Sequence, residues 1–124
     1  MTKVLLLGAG NIGVAIADLL STSGDYLVTV GDLAPSRLSA VPAEIDTARV
    51  DVTDDGSLRG AMRGMDVVVS ACPFDLGVPI AKAARDLSVH YFDLTEDVET
   101  AHRIREIAAG ADSAFMPQCG LAPG

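Results

Sequence analysis

Tryptophan is absent and aromatic residues make up only 4% of the 124-residue chain, so its interior has to be built from Val, Leu, Ile and Ala. An aliphatic interior of that kind suits a parallel sheet covered on both faces. Cysteine is nearly as scarce. Cys72 and Cys119 lie far apart and make no CxxC pair, which excludes a disulfide framework and a cysteine-based zinc site. Basic residues are few as well: 9 Lys and Arg against 17 Asp and Glu leave a formal net charge of -8. With no basic cluster, the chain offers no surface for nucleic acid. Most of the acids read as solvated helix faces and caps. Long apolar runs are missing too. Val4–Leu7 stops at Gly8, and no segment approaches the roughly 18 apolar residues of a membrane span. The expected setting is a reducing cytoplasm, away from membranes.

What remains is ordinary globular composition, 49% hydrophobic and 21% charged, enough for one domain with a real core. Short β-rich runs alternate with helical stretches along its length. Val4–Leu7, Leu27–Val30, Ala48–Val52, Asp66–Ala71, Val89–Leu94 and Ala114–Met116 read as six strands. Between them, Asn11–Leu20 places Ile12, Ile16, Leu19 and Leu20 on one helical face, and Pro35–Ala40 is a short helix or turn. Thr53 caps a third helix that turns Leu58, Ala61 and Met62 inward. Gly77–Leu87 is the fourth, and a fifth from about Glu96 to Ala109 buries Val98, Ala101, Ile104 and Ala108. Strands alternating with helices at this spacing predict an α/β, three-layer Rossmann fold: a six-stranded, doubly wound parallel sheet with helices on both faces. Residues 1–124 form that single domain. The chain ends at Leu121-Ala122-Pro123-Gly124, where a further element is expected to begin, so a substrate domain is expected beyond it.

Gly8-Ala9-Gly10-Asn11-Ile12-Gly13 matches GxGxxG. Alone the pattern is weak, but here it follows a strand, opens a helix and precedes an acid, Asp32, at the end of the second strand. Gly8 allows the tight turn, Gly10 lets backbone approach a pyrophosphate, and Gly13 permits close helix–strand packing. The N–H groups of Asn11 and Ile12 at the helix start then face the phosphates. Asp32 either accepts hydrogen bonds from the ribose hydroxyls, which favours NAD over NADP, or caps the next segment. Arg37 is the counter-signal, a cation able to meet a 2′-phosphate. Asp51 and Val52, at the carboxyl end of the third strand, are placed to meet the adenine, or are simple strand-end residues. Ser70, Ala71 and Cys72 follow the fourth strand at the rim of the crevice, where small side chains admit the nicotinamide half. Cys72 reads as an apolar filler more readily than as a nucleophile. Tyr26 and Tyr91 lack the Tyr-x-x-x-Lys pairing of short-chain dehydrogenases.

Tyr91-Phe92-Asp93-Leu94-Thr95-Glu96 and the closing Pro117-Gln118-Cys119-Gly120-Leu121-Ala122-Pro123-Gly124 resemble the saccharopine dehydrogenase family. Only the last six residues are distinctive; the rest fits many Rossmann domains. The resemblance implies an NAD(P)-dependent oxidoreductase acting on the C–N bond of an amino-acid-type substrate, with NAD as cofactor or NADP in its place. It implies Asp93 and Cys119 as groups near the reacting carbon that influence protonation of the amine. The plain alternatives are that Asp93 or Thr95 caps the fifth helix and that Cys119 is packed. No metal is implied, and a homodimer is compatible with the sequence. A different class, the nucleotide-sensing regulatory module, shares the glycines and the strand-two acid but has no use for the Cys119–Gly124 turn.

Overall fold

Thr2–Leu7 forms strand β1, whose Val4, Leu5, Leu6 and Leu7 are all buried, as a strand covered on both faces requires. In the computed structural model, residues 1–94 and 97–116 are described, without the side chain of Phe74. From β1 the chain runs through helix α1 (Asn11–Thr22), β2 (Tyr26–Asp32), the short α2 (Pro35–Leu38) and β3 (Asp46–Arg49). It then crosses through α3 (Asp55–Met62) to β4 (Val67–Ser70), α4 (Gly77–Leu87), β5 (His90–Asp93), α5 (Val98–Ala108) and β6 (Phe115–Met116). All strand pairs are parallel, in the order β3-β2-β1-β4-β5-β6. This is the doubly wound α/β fold expected from the sequence.

Two cores flank the sheet. Leu5 and Leu7 point into one with Leu58 and Met62 of α3, Ile80 of α4 and Ile104 of α5. Val4 and Leu6 point into the other, with Ala17 of α1 and with Val41 and Ile45 beyond α2. Helices α1 and α2 thus lie on one face and α3–α5 on the other. Right-handed crossovers dictate that division when the chain winds outward in both directions from β1.

Several local expectations need correction. The third strand lies at Asp46–Arg49 rather than Ala48–Val52, because its pairing with β2 sets Asp32 opposite Arg49. As an edge strand it needs few apolar residues, so Asp46 and Thr47 enter it exposed. In α1 the small residues Gly13 and Ala17 face the sheet. Ile12 and Leu19, about 140° and 160° round the helix from Ala17, are 65% and 71% exposed. The cap of α3 is Asp54, whose Oδ1 accepts from the N–H of Gly56 and Ser57, not Thr53. Helix α5 is capped by Asp97, which accepts from Thr100, so Asp93 is not its cap; Thr95 lies outside the described residues. Val98, about 120° from Ile104 on that helix, is 73% exposed, and Ile107 takes the inward place given to Ala108.

Candidate functional site

The carboxyl ends of three strands meet where the winding reverses, between β1 and β4. Leu7 stands opposite Gly31 of β2 on one side and Ser70 of β4 on the other. Past Leu7 the chain turns sharply at Gly8, with φ +106, and a Cβ there would sit 2.9 Å from the carbonyl oxygen of Ala71. Glycine is required on both counts. At Gly13 a Cβ would fall 1.9 Å from the carbonyl oxygen of Gly8, so the third glycine lets α1 fold back onto the turn. Gly10 differs. Its φ is -74 and an added Cβ would have nothing within 4 Å, so neither conformation nor packing requires a glycine there. Open space in front of Gly10 is what an approaching ligand needs.

Helix α1 begins beside that space. Gly10 is its N-cap without a side-chain cap, and the first turn holds no acid. Val14 N–H donates to Gly10 O, but among the described residues none accepts from the N–H of Gly10, Asn11 or Ile12. Unmet donors and the helix dipole make this end attractive to a phosphate.

A crevice of about 360 Å³ opens from the turn. Gly8, Gly10, Asp32, Asp51, Val52, Ala71 and Cys72 line it, so the fold gathers most of the residues singled out from the sequence. Asn11, Ile12 and Gly13 stand at the helix start without lining it. Ser70 is buried at the end of β4. Cys119 lies outside the described residues.

Asp32 is only 8% exposed. Its Oδ2 accepts from Ala9 N–H at 2.8 Å and its Oδ1 from Ala34 N–H at 2.9 Å, while Arg37 Nη1 lies 3.8 Å from Oδ2. Burial works against the charge, yet the Ala34 and Ala9 amides, with Arg37 beyond them, hold the carboxyl below its usual range. Asp51 accepts from the hydroxyl and N–H of Thr53 through Oδ1, which also keeps its carboxyl low. At Cys72 burial, followed by the nearby charge of Asp32, pushes the thiol up to about 11. Such a thiol stays protonated at neutral pH and is no nucleophile. Asp93, 3% exposed at the end of β5, accepts from the hydroxyl of Tyr91 and does not line the crevice.

Sequence reasoning missed Gly31, Leu33, Val50, Thr53 and Leu76 in the lining. Gly31 carried a signal, since a glycine inside an apolar strand marks a close approach. A Cβ there would come within 2.8 Å of Val50 Cγ2.

A parallel sheet in 3-2-1-4-5-6 order, with a glycine turn, an open helix start and a strand-two acid at its switch point, defines a dinucleotide-binding domain. The pattern of the saccharopine dehydrogenase NADP binding domain matches residues 4–115, and the chain belongs to that family. It is 30% identical over 127 residues to saccharopine dehydrogenase (NADP+, L-glutamate-forming) of Saccharomyces cerevisiae, covering 98% of this chain and 28% of that protein. The mitochondrial alpha-aminoadipic semialdehyde synthase of Rattus norvegicus is 24% identical over 98% of this chain and 14% of its own length. The apo structure of the L-Glu-forming saccharopine dehydrogenase from Saccharomyces cerevisiae superposes with a TM-score of 0.88 at 26% identity, over all of this chain and 28% of that one. The chain therefore spans about a quarter or less of the length of these relatives, none of which is described as a nucleotide sensor. Membership of an NADP-binding family runs against the NAD preference that Asp32 suggests from the sequence. Physically, that carboxylate is engaged by backbone amides while Arg37 reaches the same crevice. Among the described residues no helix is long and apolar enough to cross a membrane.

Proposed function

We propose that this domain holds NADP(H), with NAD(H) as the weaker ligand, for a saccharopine dehydrogenase-like oxidoreductase that acts on the C–N bond of an amino acid. The observation that carries the reading is the open space at Gly10 beside the unmet amides of Asn11 and Ile12. A pyrophosphate fits there because nothing else needs that glycine. Arg37, whose side chain is 64% exposed on the crevice wall, is suited to the 2′-phosphate. Asp51 and Val52 serve the adenosine end, and Ala71 and Cys72 leave room for the nicotinamide end. When bound, the cofactor supplies the hydride.

Asp93 takes a supporting part in this reading. Buried and bonded by Tyr91, it fixes the end of β5 behind the crevice rather than touching the amine. Cys119 keeps the role its resemblance implies, as a group near the reacting carbon. A substrate domain and a reducing compartment belong to the same proposal. Calorimetric titration with NADPH and NADH tests it: the chain binds both, NADPH more tightly, and Arg37→Glu weakens NADPH on the order of tenfold while sparing NADH. No binding of either cofactor at millimolar concentration sinks the assignment. Unchanged NADPH affinity in Arg37→Glu removes Arg37 from the site.

A further inference from the structure

An acid ending β2 is expected to read the ribose hydroxyls and to repel a 2′-phosphate. An NADP-binding domain with Asp32 in that place is a contradiction unless the carboxylate is otherwise engaged. Its geometry shows that engagement. Both oxygens already accept from backbone, Oδ2 from Ala9 and Oδ1 from Ala34, and little of the side chain reaches solvent. Ala9 is itself buried, at 4% exposure, so its N–H has no water to turn to if Asp32 lets go. The residue before it strengthens the tie, because Gly8 N–H donates to Gly31 O at 2.9 Å. The end of β2 thus grips the glycine turn at two successive amides. Toward solvent, Arg37 lies against the same carboxylate, leaving a locally neutral pair whose guanidinium has further N–H groups to offer.

We propose that Asp32 is a positioning residue of the glycine turn, joining Ala9 and Ala34 into one rigid unit, and does not read the ribose. The cofactor preference then belongs to Arg37, and Asp32 sets the turn for either dinucleotide. This inference rests on the NADP(H) reading above.

Nuclear magnetic resonance of the isotope-labelled wild-type chain tests it without any substitution. Scalar couplings across the hydrogen bonds from the Ala9 and Ala34 amides to the Asp32 carboxylate carbon are expected in the free protein. They should persist when NADPH saturates it. Couplings that are missing, or that vanish on binding, overturn the proposal. The second measurement uses Asp32→Asn, which keeps the shape but leaves one acceptor oxygen for two amides. Dissociation constants for NADH and NADPH should rise together, by about tenfold, with their ratio within about threefold of wild type. A variant that loses NADH and keeps or gains NADPH shows a ribose reader, and the proposal fails. Wild type that binds neither cofactor instead defeats the functional reading, and this inference falls with it.

Discussion

The three glycines of one motif are glycine for three different reasons, and substitutions separate them. Gly13→Ala forces a methyl group against the Gly8 carbonyl oxygen at 1.9 Å, where backbone cannot yield cheaply. We expect a loss on the order of 3 kcal/mol, at the upper end of overpacking costs, read as a lowered urea midpoint. Gly10→Val places its Cβ where nothing lies within 4 Å and meets no φ strain, since φ is -74. It should fold with a near-native melting temperature and bind neither NADPH nor NADH, because its branch occupies the phosphate approach. Normal affinity in a folded Gly10→Val would place the pyrophosphate elsewhere. These residues were legible because GxGxxG set between a strand and a helix combines a tight turn with a phosphate seat, and few short patterns ask for glycine at those three positions. Asp32 was legible as the acid that ends β2, and its bond to Ala34 is one that a cap on the next segment makes. Sequence spacing shows that an acid ends β2, whereas only geometry shows two backbone amides bonded to it.

Secondary structure was read most safely where hydrophobic runs were continuous, as in Val4–Leu7 and Val67–Val69, and least safely at edges and small residues. Edge strand β3 has too little apolar pattern to fix its register, which comes instead from pairing with β2. In α1 large side chains suggested the inward face, but close packing on the sheet selects Gly13 and Ala17. The cap of α3 lies one residue past Thr53, since Thr53, Asp54 and Asp55 are all capable and adjacent. The geometry separates them: Asp54 carries the capping bonds, while the Thr53 hydroxyl is spent on Asp51. Asp54→Ala should therefore cost about 1 kcal/mol in chemical denaturation, as lost helix caps do. Thr53→Ala should leave α3 intact and act mainly on the Asp51 turn. A larger loss from Thr53→Ala than from Asp54→Ala would return the cap to Thr53.

At the scale of the whole molecule, ionisation limits the fold from both ends of the pH range. Asp32, Asp51, Asp86 and Asp97 are all held below the usual carboxylate range. For Asp32 the bonds to backbone and Arg37 outweigh burial; for Asp51 and Asp97 the leading cause is a threonine hydroxyl, and for Asp86 it is Arg59. Unfolded Asp takes up a proton near 3.9, above the folded values, so these groups stabilise the fold above that pH. Their contribution is lost as pH falls through the lowered folded values. The alkaline limb has the opposite sign. Burial raises Cys72 to about 11, and burial with Asp93 raises Tyr91 as well. Unfolded, the two groups release protons from about pH 8.5 and about pH 10, so stability declines as pH rises through those values. The net charge of -8 adds self-repulsion in the same direction. Urea midpoints should therefore be nearly level between about pH 5 and 8 and fall on either side. Replacing Cys72 by Ala identifies the groups responsible. It should remove the first part of the alkaline decline, beginning near pH 8.5, and leave the part beginning near pH 10 that belongs to Tyr91. An alkaline limb unaltered by Cys72→Ala would mean that the thiol ionises as freely in the folded protein as in the unfolded chain, and that Cys72 is not the protonated filler its burial makes it.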